Sequence, residues 1–269
     1  VRLFVFGFGF SGRAVAQLMR DRGWSVTGAA RSALSVPGVD PVDATDRSAV
    51  REAAAAADAV LISAPPGEDG CPGWSALGDI RRSWTGYLST MGVYGDRRGG
   101  WVFEESPVAP QSPEARRRAT AEADWLGDGA CVFRLPGIYG PGRSAFDRLR
   151  AGTARRLVRP GQVFSRIHVD DLARGIATSI ERPRPGGVYN LCDDEPAPAA
   201  EVTAYAAQLL GMAPPPEEAF DEAAVSPAAL RFWSESKRVS NARAKAELGW
   251  RPAYPTYREG LAAVLAAGG

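Results

Sequence analysis

At 269 residues and a net charge of +1, with acidic and basic side chains interspersed, the chain has room for one large α/β domain or a domain and a half. It shows none of the basic surplus expected of a partner of nucleic acid or of an anionic membrane. No apolar run approaches a membrane span, and residues 1–20 read as a strand and phosphate turn, not a signal peptide, so a whole cytoplasmic protein is expected.

The chain opens with Val1-Arg2-Leu3-Phe4-Val5-Phe6, an apolar run that predicts a buried first strand. A G-x-G-x-x-G follows at Gly7, Gly9 and Gly12, and Ala14, Val15, Leu18 and Met19 then recur at helical spacing up to Gly23. In such a strand, turn and helix the first glycine makes the turn. The second lets a pyrophosphate approach the backbone, and the third lets helix and strand pack closely. The anion sits on the positive end of the helix, which makes Gly7, Gly9, Phe10, Ser11 and Gly12 candidate cofactor residues. Residues 25–30 predict a second strand, the order a dinucleotide fold requires.

An acidic residue about 20 positions past the motif would bond the ribose 2′-hydroxyl of NAD. Here the second strand ends in Ala29-Ala30-Arg31-Ser32, a guanidinium and a hydroxyl where a carboxylate would repel a 2′-phosphate. Arg31 and Ser32 therefore favour NADP as cofactor, with NAD as the alternative if Arg31 is only a solvated arginine. Residues 39–44 predict a short third strand whose Asp43 either faces the adenine or forms a turn, and Asp46 caps an alanine-rich helix to about residue 57. Residues 58–63 predict a fourth strand buried on both faces. Ala64 and Pro65 then open a corner expected to wall the cofactor cleft, because ligands gather at the carboxyl ends of parallel strands.

A trimmed crossover over 68–83 leads to a fifth strand at 85–90. Beyond a loop rich in Gly and Arg, Ser112 and Pro113 start a helix that runs to about Leu126, and residues 130–135 predict a sixth strand. After the loop 136–143 the alternation loosens into a helix near 144–152 and short strands around 157–158 and 163–169. A helix carrying Leu172, Ala173, Ile176 and Ile180, a strand at 187–191 and an amphipathic helix marked by Val202, Tyr205, Leu209 and Leu210 follow. The acidic, proline-rich stretch 212–228 predicts a mobile loop; Ser240 and Asn241 cap a helix to Leu248, and residues 257–267 close the chain. The resulting expectation is a Rossmann doubly wound parallel sheet. A dinucleotide-binding core spans 1–143, and a mixed region, 144–269, returns to that core at about 163–192 and adds a small C-terminal substrate subdomain.

The three cysteines, Cys71, Cys131 and Cys192, are scattered, and His168 is the only histidine, so neither disulfides nor a metal site is expected. The only lysines are Lys237 and Lys245.

Several stretches together resemble the short-chain dehydrogenase/reductase superfamily, in particular its extended branch, the NAD-dependent epimerase/dehydratase family. They are Gly7 to Gly12, Ser89-Thr90-Met91-Gly92-Val93-Tyr94-Gly95, Arg134 to Arg143, Ile167-His168-Val169-Asp170-Asp171-Leu172-Ala173 and Gly187-Val188-Tyr189-Asn190-Leu191. The resemblance implies a seven-stranded parallel sheet and a C-terminal substrate domain. It also implies that Thr90 is the hydroxyl that bonds a substrate oxygen and that Pro136, Gly137 and Ile138 lie against the nicotinamide. Dimerisation through a four-helix face is common in that family; the sequence leaves a homodimer open.

The resemblance breaks at the catalytic pair. Members use Tyr-x-x-x-Lys on the helix after the fifth strand, whereas here the tyrosine position falls on Glu114 and the lysine position on Arg118. No lysine precedes Lys237, so the motif is absent under any alignment. Arg118 could supply charge and a ribose contact, Glu114 could act as a base if burial raised its pKa, and Tyr94 either serves as the acid or packs the cleft wall. Phe164 stands where nucleotide-sugar members usually carry an arginine, and Arg166 follows two residues later. Arg143, Arg166 and His168 are the candidate substrate contacts, with His168 expected chiefly to fix its loop. Two functions fit: an atypical oxidoreductase or epimerase/dehydratase acting on an unidentified small molecule, or a catalytically silent NADP(H)-binding sensor or scaffold.

Overall fold

Leu3 and Val5 leave one face of the first strand and Phe4 and Phe6 the other, and all four are buried, so β1 (Arg2–Phe6) lies between two apolar layers. The computed structural model describes residues 1–32, 36–80 and 83–268. Beside β1 run β2 (Ser25–Ala30), β3 (Val39–Asp43), β4 (Ala59–Ile62), β5 (Trp84–Thr90), β6 (Cys131–Leu135) and β7 (Val188–Asn190). They form one seven-stranded sheet in the order β7-β6-β5-β4-β1-β2-β3, every pairing parallel. The order reverses between β1 and β4, which opens a crevice at their carboxyl ends.

On one face α1 (Phe10–Asp21) supplies Val15 and Met19, and a later helix, α6 (Val169–Glu181), supplies Ile176 and Ala177 against Leu3 and Val5. On the other, α2 (Arg47–Ala55), α3 (Pro72–Leu77) and α4 (Pro113–Gly127) bring Val50, Ala54, Leu77 and Trp125 against Phe4 and Phe6. Asp46 accepts from the Ala49 N–H at 3.0 Å and Ser112 from the Ala115 N–H at 3.1 Å, so α2 and α4 begin at the caps their sequences announce. A separate apolar cluster joins α5 (Ala145–Arg150), α7 (Ala199–Leu209) and α9 (Tyr257–Ala266) through Phe146, Ala206, Tyr257 and Leu261.

Two expectations change. The strand expected over 163–169 is confined to Arg166–His168, which pairs in parallel with Gly137–Tyr139 inside the loop expected after β6. The stretch 212–228, expected as a mobile loop, holds a strand, Glu217–Ala219, paired with Arg156–Val158, and leads into α8 (Pro227–Trp233). Its acidic residues have partners distant in sequence: Glu218 meets Arg155 at 2.7 Å and Glu217 meets Arg156 at 2.6 Å.

One buried polar network ties the sheet to α4. The Glu122 carboxylate accepts from Arg134 Nε at 3.0 Å and from the Ser89 hydroxyl at 2.7 Å, with a further short contact to Arg134 Nη2. Arg134 Nη1 donates to the Tyr94 hydroxyl and to the Glu104 carbonyl, each at 3.0 Å. Tyr94 donates in turn to Asn190 Oδ1 at 2.8 Å, and the Asn190 N–H donates to the Glu104 carboxylate at 2.8 Å. Removing one member strands a desolvated charge. Arg134→Met is expected to cost about 3–5 kcal/mol in urea unfolding, and Glu122→Gln, which keeps acceptor capacity, less.

Candidate active site

The glycine turn is bare where a ligand would approach. Gly7 has φ +94°, and a Cβ there would lie 2.3 Å from the Ala64 nitrogen. A Cβ on Gly12 would lie 2.9 Å from the Gly7 carbonyl oxygen, whereas one on Gly9 would meet nothing within 4 Å. Gly9 is the N-cap of α1 and no side chain caps that end, so the amides of the first turn, from Phe10, Ser11 and Gly12, meet no side-chain acceptor there. The turn opens on a recess of about 840 Å³ lined by Gly7, Gly9, Arg31, Ser32, Ala64 and Pro65 among others. These features fit a dinucleotide.

A second cleft, of about 500 Å³, gathers Thr90, Glu114, Arg118, Pro136, Gly137, Ile138 and Arg143. Thr90 ends β5, where its Oγ1 accepts from the Gly92 N–H at 3.1 Å and leaves its own proton free to donate. Arg143 sits over the Phe10 ring, 5.4 Å from its centroid, and so links the cleft to the first turn of α1. The cleft continues past Phe164, Ser165 and Phe232 into a recess lined by Tyr139, Arg166 and Tyr257. Arg166 Nη1 is fixed on the carbonyls of Phe164 (2.8 Å) and Ala197 (3.0 Å). Burial pulls its guanidinium below the ordinary arginine value, and the neighbouring Asp193 carboxylate opposes that pull. The hydroxyls of Tyr139 and Tyr257 are buried there without a protein partner. Such a set suits a polar or anionic ligand.

The catalytic roles expected of Tyr94 and Glu114 are corrected, and for Asp43 and His168 the structural one of the two readings holds. Tyr94 is fully buried behind the cleft, held between Arg134 and Asn190, and burial raises its pKa, so it is placed as a structural phenol and not as the acid. Glu114 is half exposed, with Arg231 at 3.9 Å; its place at the start of α4 and the nearby arginines hold its pKa low, the opposite of a poised base. Asp43 closes a turn by accepting from the Thr45 N–H and hydroxyl at 2.8 and 2.7 Å, and it is Ala44 and Thr45 that line the cofactor recess. His168 lines neither recess: its Nδ1 accepts from the Asp170 N–H at 3.2 Å, and its ring meets Tyr139 and Tyr254 edge-on. Arg118 does reach the cleft, but its guanidinium also donates to the Leu88 carbonyl and lies over the Tyr87 ring, which makes it a tie between α4 and β5.

Sequence reading missed Arg47, in the cofactor recess, and Arg231, Phe232, Glu235 and Lys237, in the Thr90 cleft. The one signal available was the rarity of lysine, and it gives no position in space. Among the described residues no group of His, Cys, Asp and Glu could hold a metal ion, and no helix is long and apolar enough to cross a membrane.

No protein-family model matches the chain. A 3-diazoavenalumate denitrifying reductase from a Streptomyces species is 30% identical, over 94% of this chain and 96% of that protein. A functionally unknown conserved protein from Silicibacter pomeroyi superposes with a TM-score of 0.88 at 42% identity, over 99% and 98% of the two chains. The fold alone is shared with the dTDP-glucose 4,6-dehydratase of Bacillus anthracis, solved with NAD (TM-score 0.81, 18% identity, 99% and 96% covered). It is shared likewise with a human epimerase family protein solved with NADPH (TM-score 0.78, 19% identity, 98% and 99% covered). The chain belongs to the NAD-dependent epimerase/dehydratase family, the extended branch of the short-chain dehydrogenases/reductases. Within it the chain is atypical, since α4 contains neither tyrosine nor lysine.

Because Gly9 borders open space, Gly9→Val is expected to change stability by no more than about 1 kcal/mol. The same variant should weaken binding of a nicotinamide dinucleotide at least about tenfold in a fluorescence titration. His168 gives a pH dependence. Burial lowers its pKa from 6.5 in the folded chain, so on acidification the unfolded chain takes up a proton that the folded imidazole refuses, and stability falls as pH drops below 6.5. His168→Asn, which keeps an acceptor for the Asp170 N–H, should show a flatter stability profile in denaturant melts between about pH 7 and 5.

Proposed function

We propose that the chain is an NADP(H)-dependent reductase of a small carbonyl compound that carries an anionic or strongly polar part. One observation carries the reading: the Thr90 hydroxyl shares its cleft with Pro136, Gly137 and Ile138, close by a glycine turn left bare for a pyrophosphate. The reductase named among the relatives supports the direction of the reaction. When bound, the reduced cofactor supplies a hydride. The chain's own residues do the rest. The first turn of α1 holds the pyrophosphate, Ala64 and Pro65 wall the ribose side, and Arg31, Ser32 and Arg47 meet the 2′-phosphate. Thr90 donates to the substrate oxygen, and Arg143 and Arg166 receive the anionic part. Preference for NADP over NAD rests on the two arginines around that recess and on the lack of a carboxylate at the end of β2.

A second reading, an NADP(H)-binding sensor without turnover, is favoured by the sequestered Tyr94 and the absent Tyr-x-x-x-Lys. Oxidation of bound NADPH when carbonyl compounds are supplied distinguishes the two.

Titration by energy transfer from the tryptophans should saturate with NADPH at least about tenfold more tightly than with NADH, and Arg31→Ala should remove most of that ratio. Equal ratios in wild type and variant would contradict the NADP assignment, and lack of saturation with either cofactor would contradict the reading as a whole.

A further inference from the structure

Past α8 the chain runs extended, and alternate residues Glu235, Lys237 and Val239 line the Thr90 cleft, the spacing at which an extended segment presents one face. The intervening residues are fixed in the body of the protein. The Ser236 carbonyl accepts from the N–H groups of Arg97 (3.1 Å) and Gly99 (2.9 Å), and its N–H donates to the Asp96 carboxylate at 2.8 Å. The Ser236 hydroxyl donates to the Gly161 carbonyl and accepts from the Val163 N–H, both at 3.2 Å. The Arg238 N–H donates to the Gly100 carbonyl at 2.9 Å, the Val239 N–H to the Ser165 hydroxyl at 3.2 Å, and the Gln162 amide to the Glu235 carbonyl at 2.8 Å. Lys237 therefore sits between two anchored neighbours, 9% exposed, with its ammonium paired to the Glu235 carboxylate.

The other groups in the cleft are poor acids. Arginines such as Arg118, Arg143 and Arg231 do not release a proton, Thr90 donates a hydrogen bond without ionising, and Glu114 is held as its carboxylate. A carbonyl that accepts hydride needs a proton or a cation at its oxygen.

Resting on the reductase reading, we propose that Lys237, positioned by Glu235, is the acid of this cleft, with its ammonium facing the reacting end of the cofactor. With hydride forming the new C–H bond, the π pair of the C=O group withdraws to oxygen. A proton from Lys237 Nζ forms the O–H bond, which yields the alcohol. The neutral amine then regains one proton from bulk solvent, passed on by Glu235, so that each turnover consumes one solvent proton.

The scarcity of lysine makes a direct test available. In the wild-type chain, reductive methylation with formaldehyde and cyanoborohydride, read by peptide mass, is expected to slow about tenfold at Lys237 under saturating NADPH. Lys245, which pairs with Asp194 away from the cleft, should react unchanged. Lys237→Met removes a positive charge beside a ring that is cationic only when oxidised, so NADP+ should bind about fivefold more tightly relative to NADPH. Lys237→Arg should keep the wild-type ratio. If NADPH saturates the protein yet leaves Lys237 equally reactive, or Lys237→Met keeps the wild-type ratio, this assignment falls alone. If NADPH does not bind at all, the proposed function falls with it.

Discussion

The buried pairing of Arg134 with Glu122 is the contact on which the cleft depends. Arg134 stands two residues before Pro136 on β6, Glu122 lies on the helix that carries Arg118, and Ser89, which shares the carboxylate, directly precedes Thr90. One desolvated ion pair thus fixes the Thr90 strand end, the Pro136 loop and α4 in a single arrangement. Its desolvation is offset only because the remaining donors and acceptors are taken up by Tyr94, Glu104 and Asn190. Tyr94 is drawn into that network, which is the physical reason it is unavailable to the cleft.

The phenol is committed to structure, and α4 contains neither tyrosine nor lysine. The cleft keeps the Thr90 hydroxyl and surrounds it with four cations: Arg118 on α4, Arg143 on the loop after β6, Arg231 on α8 and Lys237 just beyond it. Such an electrostatic setting suits a reaction in which negative charge grows on a substrate oxygen. The stacked Phe164 and Phe232 rings, 4.3 Å apart, form an apolar divide between that cleft and the recess around Arg166.

Much of the fold was legible because it is written locally. The apolar run of β1, the three glycines and the caps at Asp46 and Ser112 each act within a few residues, and each lands where the sequence places it. The carboxyl ends of the strands likewise brought Thr90, Ala64, Pro65 and the Pro136 loop to the crevice. What escaped depends on contacts distant in sequence. Tyr94 is four residues from Thr90, but a tight helical turn over Met91–Tyr94 swings it behind the cleft. The acidic stretch 212–228 is held by Arg155 and Arg156, and Lys237 reaches the cleft because Ser236 donates to the Asp96 carboxylate and accepts from the Arg97 and Gly99 N–H groups. Periodicity and composition carry no trace of those pairings.

A crystal structure of the chain grown with NADPH decides between cofactor binding in the Thr90 cleft and a purely structural glycine turn. The pyrophosphate is expected on the amides of Gly9 to Gly12, the 2′-phosphate beside Arg31 and Arg47, and the nicotinamide against Pro136 to Ile138 with Thr90 and Lys237 facing its reacting carbon. A dinucleotide whose nicotinamide turns out to solvent, away from the Thr90 cleft, would contradict it.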